Sequence, residues 1–272
     1  YGRVTEPATP FQLLHSVAPK FGATLAIEGD TATTTIVIIL PSGKQQAFEL
    51  SLSAVDSRVS VRESQPGQVL PAFCPDRHIN SDGTFCLGWG AQNPNNIIDE
   101  ASARTWWSAL VRYLSSQVTA NKRKVWPGSE NDRAHGDAAQ YQETAESAAR
   151  TLGPAFERDL RNGNFCVRSD RRRRNPRLEL YRSGKRIARV FLNSGRMVKD
   201  RIACPCDAPA APQIAACGGH AKSLEVFTLA KYQQHLQEKR YLDGLVADGK
   251  QCCGTLQNCG LREASSRRSR TA

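Results

Sequence analysis

The stretch ATLAIEGDTATTTIVIILPSGKQQAFELSLSAVDSRVSVR, Ala23 to Arg62, carries the architecture. Ala23–Glu28 alternates apolar and polar residues, Thr33–Leu40 is a β-branched run, Gln46–Ser53 alternates around Phe48 and Leu50, and Arg58–Arg62 is short. Each reads as a strand, because period-two alternation buries one face and β-branched side chains suit a pleated surface. Gly29-Asp30, Pro41-Ser42-Gly43 and Ser53–Ser57 supply the turns between them. Connections this short make neighbouring strands antiparallel, so the four form a meander.

On the N-terminal side, Phe11, Leu13, Leu14, Val17 and Phe21 fall at helical spacing behind Pro10, and Gly22 ends that helix. On the C-terminal side, a polar loop runs from Glu63 to about Asn96, and a helix follows from about Asp99 to Arg123. Trp106, Trp107, Leu110, Tyr113 and Leu114 give this helix its apolar face. Lys124–Arg133 reads as a boundary. Beyond it come a helix over Ala138–Arg161 broken near Gly153-Pro154, and a second hairpin either side of Ser183-Gly184. Met197–Ala203 offers that hairpin a third strand. A helix over Ser223–Val246, a cysteine-rich stretch and a solvated tail, SSRRSRTA, close the chain. The fold class is α+β, with three expected divisions: residues 1–128, a helical connector 129–164, and a basic hairpin with a cysteine-rich helical module over 165–272.

The chain has 272 residues, 40% of them hydrophobic, which suits ordered domains and argues against a mostly disordered chain. No apolar run approaches the ~20 residues of a membrane helix. No export signal is present either, so the nine cysteines read as reduced thiols of a cytoplasmic protein. The chain opens on Tyr1 rather than Met, so a short preceding piece is expected. The formal charge of +11 is localised: Phe165–Ala203 holds 13 of the 37 Lys+Arg and three of the 26 Asp+Glu. That leaves 24 against 23 elsewhere, close to neutral.

Chemistry concentrates in the long loop, LPAFCPDRHINSDGTFCLGWG, Leu70 to Gly90. Here His78, Asn80 and a glycine turn at Gly83 precede Cys86, a setting that can present a nucleophilic thiol. Together, the element order over Pro10–Val125 and this loop resemble the ubiquitin-conjugating (E2) enzymes. Those have a helix, a four-stranded meander, a long active-site loop and a helix, the UBC fold. Their loop carries His-Pro-Asn, a glycine turn and Ile-Cys-Leu; this chain has Gly83-Thr84-Phe85-Cys86-Leu87. It looks closest to divergent bacterial E2-like proteins encoded beside an E1-like adenylating enzyme and a ubiquitin-like protein, with antiphage defence implied by that likeness.

The resemblance implies that Cys86 accepts the ubiquitin-like protein from the E1-like enzyme as a thioester and hands it to a nucleophile, a lysine amine on a target protein. Aligned without a gap, His78 stands where the family has its oxyanion-stabilising asparagine; aligned by composition, Asn80 takes that role but sits closer to the cysteine. The ungapped alignment keeps the glycine turn in place, and an imidazole N–H can also meet an oxyanion. Gly88-Trp89 replaces the family's usual acidic residue after Cys-Leu, so nothing follows about acceptor activation. Cys74, beside Pro75, reads as structural. An inactive E2-like adaptor that binds only the ubiquitin-like protein or the E1-like enzyme is the first alternative, and a nucleic-acid-binding protein acting through Arg171–Arg174 is the second.

Cys204, Cys206, Cys217, Cys252, Cys253 and Cys259 crowd the last quarter with His220. A structural zinc held by a set drawn from Cys204, Cys206, Cys252, Cys253, Cys259 and His220 would suit so small a module, although Cys-x-Cys and Cys-Cys are tighter than the usual pair spacing. Catalysis itself needs no cofactor. Cys252 or Cys253 is also placed to relay an acyl group from Cys86. Arg171–Arg174 admits three readings: nucleic-acid binding, docking to an acidic protein face, or a solvated turn. Sparse aromatics disfavour nucleic acid, and no membrane partner is expected.

Overall fold

The protein is described by a computed structural model over residues 8–40, 43–90, 93–128, 133–172, 174–198, 202–206, 212–214, 217 and 219–269. Helix α1, Pro10–Val17, starts in a capping box: Gln12 donates its amide to the Thr9 hydroxyl, and Thr9 donates its own to the Gln12 side chain. These bonds satisfy two amides that a helix start leaves orphaned. A 3-10 turn, Ala18–Phe21, then stops at Gly22, whose left-handed φ of 65° favours glycine.

The meander follows in the order expected: β1 Thr24–Glu28, β2 Thr31–Ile39, β3 Gln45–Val55 and β4 Arg58–Glu63, all antiparallel neighbours. Strand β2 alternates strictly, with Ala32, Thr34, Ile36 and Ile38 inward. Ala32, Ile36 and Ile38, with Phe48, Leu50 and Leu52 of β3, share one core with the buried face of α2, Glu100–Arg123. On that face Trp106 and Trp107 cross edge to face, and the Trp107 indole donates to the Leu14 carbonyl at 3.0 Å. Buried indoles need such a partner, so this bond ties α2 to α1. The sheet-and-helix core is what the alternation and the helical stripe require.

Two units divide the chain: Tyr1–Asp132 with Leu245–Ala272, and Arg133–Gly244. The second holds α3 Ala138–Leu152, α4 Pro154–Arg161, a sheet of β5 Phe165–Asp170, β6 Arg177–Arg182 and β7 Lys185–Phe191, and most of α5, His220–Ala247. Its core is built on Phe156, Phe165 and Phe227, whose ring centroids lie 4.5–5.0 Å apart. Gly153 and Pro154 separate α3 from α4.

Two expectations differ from what is observed. The third strand of the small sheet is β5, paired on the far side of β6, while Met197 makes only an isolated bridge to Val190; residues 199–201 lie outside those described. The connector 129–164 and the hairpin module share one unit, whereas the residues from Leu245 onward belong with the meander. The reason is apolar: Leu256 is buried with Cys74 and Ala120 of the first unit. The tail is solvated as expected, exposed over residues 266–269 at the end of helix α6, Gly260–Ser269, whose buried residues Leu261 and Ala264 precede it. None of the described helices is long and apolar enough to cross a membrane.

Candidate functional site

The long loop is fastened at its start by Glu63, the last residue of β4. Its buried carboxylate accepts backbone N–H bonds from Gly67, Val69 and Leu70 at 3.1–3.3 Å. Burial raises its pKa, against the opposing pull of those amides.

Further on, Cys74 and Ile79 exchange both backbone hydrogen bonds, closing a loop around the 3-10 turn Pro75–Arg77. Ile79 then bridges to Phe85 across the turn Asn80–Thr84. Gly83 carries that turn with φ +82°, and a Cβ there would stand 3.5 Å from the Pro66 ring. Asp82 accepts from the amide and hydroxyl of Thr84 at 3.0 and 2.6 Å, and the Asn80 amide donates to the same hydroxyl at 3.0 Å. The Phe85 amide donates to the Val61 carbonyl at 2.8 Å, which pins the turn to β4.

This geometry sets His78 opposite Cys86: the Cys86 amide donates to the His78 carbonyl at 2.9 Å. Both residues are half-buried. The Cys86 Sγ lies 3.8 Å from the Gly88 carbonyl, within reach of a weak S–H bond. His78 holds the left-handed conformation, φ 55° and ψ 38°, unusual for a residue with a Cβ. Its ring lies 5.4 Å from that of Trp126. From beneath, the Tyr113 hydroxyl reaches the carbonyls of Arg77 at 3.2 Å and His78 at 3.3 Å. Burial pushes the Tyr113 phenol far up, so it stays a neutral donor. Asn80, by contrast, is exposed, and its amide nitrogen serves the turn.

Arg77 anchors the whole loop, and sequence patterning gave no sign of it. Its side chain is fully buried: Nε donates to Gln117 Oε1 at 2.7 Å, Nη2 to the Gln117 carbonyl at 3.2 Å, and Nη1 to Thr255 Oγ1 at 3.1 Å. Gln117 returns a bond from Nε2 to the Arg77 carbonyl at 2.8 Å. A glutamine on the buried stripe of a helix was the only available hint.

The expected metal ligands divide between the units. Cys204, Cys206 and His220 come together in the second unit, joined by Cys217, and all four ligand atoms lie within 4.8 Å of one another. His220 Nδ1 lies 3.5 Å from Cys204 Sγ and 3.1 Å from Cys217 Sγ, and Cys206 and Cys217 are 3.8 Å apart. Ligands about 2.0–2.3 Å from a tetrahedral ion sit roughly 3.4–3.8 Å from one another, so this Cys/His cluster is compatible with a structural metal. The spacing Cys217-x-x-His220, an ordinary ligand pair, was the signal that could have added Cys217 to the set. Cys252, Cys253 and Cys259 lie instead in the first unit.

The arginine segment is partly committed. Arg171 donates to the Tyr232 hydroxyl at 2.6 Å, and the Arg172 amide donates to Asp170 at 3.3 Å; Arg173 lies outside the described residues.

Residues 21–128 match the family model of a prokaryotic E2 domain, and residues 134–261 match that of a cysteine-rich domain C-terminal to the E2 domain. No match was found among curated proteins or solved structures. With its meander, its hairpin-borne cysteine and the Cys/His cluster that follows, the chain belongs to the prokaryotic E2-like proteins in which a cysteine-rich domain succeeds the E2 domain.

Proposed function

We propose that the chain is an E2-like carrier that holds a ubiquitin-like protein on Cys86. The Cys86 thiolate attacks the thioester carbonyl presented by an E1-like enzyme, and the E1 thiol leaves. An acceptor amine, a lysine on a target protein, then attacks the new thioester, and the Cys86 thiolate is expelled as the amide forms. His78 is assigned the oxyanion contact through one ring N–H, while its second nitrogen, in the neutral imidazole, takes the proton the amine sheds. The observation that carries this reading is the hairpin register: it places His78 directly across from Cys86, while Asn80 is turned to Thr84. A pure adaptor would have no use for a thiol held in this way.

Zinc is the metal we assign to Cys204, Cys206, Cys217 and His220 Nδ1. Bound there it would cross-link the stretch before α5 to the start of that helix.

The test is reconstitution with the cognate E1-like enzyme, ATP and ubiquitin-like protein. We expect an adduct cleaved by thiols in the wild type, none with Cys86→Ala, and a thiol-resistant ester with Cys86→Ser. His78→Ala should charge normally yet discharge to an amine roughly 10²-fold more slowly or worse, the scale of a lost oxyanion donor. An adduct that persists in Cys86→Ala would overturn the assignment.

A further inference from the structure

Away from Cys86, two thiols from distant parts of the chain meet. Cys74, buried at the base of the long loop, has its Sγ 3.0 Å from that of Cys253, 179 positions later. Both belong to the first unit. Leu256, Ala120 and Trp126 wall the pair in. Cys253 also lies 3.0 Å from Thr255 Oγ1, the hydroxyl that accepts from Arg77. A disulfide bond needs about 2.05 Å, so the two sulfurs are short of bonding by roughly 1 Å.

We infer that Cys74 and Cys253 are a dithiol that hydrogen peroxide oxidises to a disulfide, fastening the C-terminal segment to the loop that bears His78 and Cys86. The Cys253 thiolate attacks the distal peroxide oxygen; the O–O bond breaks, and the departing hydroxide gains a proton as water. Cys253 is then a sulfenic acid. Cys74 attacks its sulfur, the S–O bond breaks, and the released hydroxide leaves with the Cys74 proton as a second water. Two electrons from the thiol pair thus reduce one peroxide.

Each thiol suits its part. Cys253 is half-buried and so within reach of a small oxidant. The close contact with the Cys74 sulfur, opposed by burial and aided by Thr255, lowers its pKa to about 5, which favours the thiolate. The same contact and burial raise that of Cys74, which keeps the proton. The neighbouring Cys259 is a poorer rival: it is buried and pushed up to about 12, so it keeps its proton.

The experiment treats the full chain with hydrogen peroxide, alkylates free thiols under denaturing conditions, and maps peptides without reduction. We expect a peptide pair joined through Cys74 and Cys253, lighter by two hydrogens, released by dithiothreitol and formed equally in Cys86→Ala. Cys252→Ser should leave the cross-link intact and Cys253→Ser should abolish it. Recovery of Cys74 as fully alkylated after treatment, or of Cys253 bonded to Cys252 or Cys259, would refute the inference. Because the readout is a mass and persists without Cys86, it is independent of the carrier function.

Discussion

Replacing Gln117 with Leu probes how the long loop is held. Leucine fills nearly the same volume, so the cavity penalty is small. What disappears is polar. Arg77 Nε loses its 2.7 Å acceptor, and a hydrogen bond to a buried charged group is worth about 1.5–3 kcal/mol. The Arg77 carbonyl loses the 2.8 Å bond from Gln117 but still accepts from Tyr113, so that loss stays within about 0.5–1 kcal/mol. Burying the new methyl groups returns roughly 1 kcal/mol. The net is a destabilisation of about 2 kcal/mol, or roughly 4–8 °C in Tm for a unit of this size. All four tryptophans, Trp89, Trp106, Trp107 and Trp126, lie in the first unit, so denaturant unfolding followed by fluorescence reports on that unit alone. Gln117→Glu keeps the acceptor and adds an opposite charge, so it should lose less than the leucine variant. A midpoint unmoved by Gln117→Leu, or equal losses in the two variants, would show that Arg77 is not held by its side-chain acceptor.

Two further outcomes follow from groups whose surroundings are equally definite. Burial raises the Glu63 pKa from 4.5, so its folded form holds a proton more tightly than its unfolded form; the stability it contributes is complete below about 4.5 and is lost as pH climbs through the higher folded value. The stability of the wild type relative to Glu63→Gln should therefore fall between pH 4 and 7, and a gap independent of pH in paired denaturation curves contradicts this. In the second unit, the purified chain should carry zinc that Cys217→Ser releases and Cys252→Ser does not, read by elemental analysis beside circular dichroism. Equal zinc in the two variants would mean that the ion sits elsewhere.

The first unit was legible because its signals are local. Alternation in β2 and β3, the helical stripe of α2 and the glycine at position 83 each act within a few residues, and each appears where the pattern demands. The register that sets His78 opposite Cys86 was not readable, because the stretch from Glu63 to Asn96 carries turn residues but no strand alternation. What else escaped reading depends on contacts between remote positions. Nothing near Arg77 announces Gln117 or Thr255, and nothing near Cys253 announces Cys74, because a buried polar side chain is chosen by whatever reaches it across the fold. The same holds for β5, whose partner β6 follows an arginine run that ends in Asn175-Pro176 rather than a two-residue hairpin turn.

The localised positive charge shows how far composition alone misleads. A net excess of ten in Phe165–Ala203 looks like a surface offered to phosphates, yet many of its arginines are structural members of the small sheet. Arg182 bonds Asp159 at 2.6 Å and the carbonyls of Pro205 and Ala155, and lies over the Phe156 ring. Arg186 pairs with Glu179, Arg168 covers Tyr181, Arg177 covers Phe191, and Arg171 reaches Tyr232. Long stems of this kind bury apolar area that so small a sheet cannot otherwise cover, with the cation left at the edge. These five arginines thus have a part in how the sheet is built. Neutralising Arg182 should accordingly unfold the second unit before it weakens retention on any polyanion, the reverse of the order a free basic patch would give.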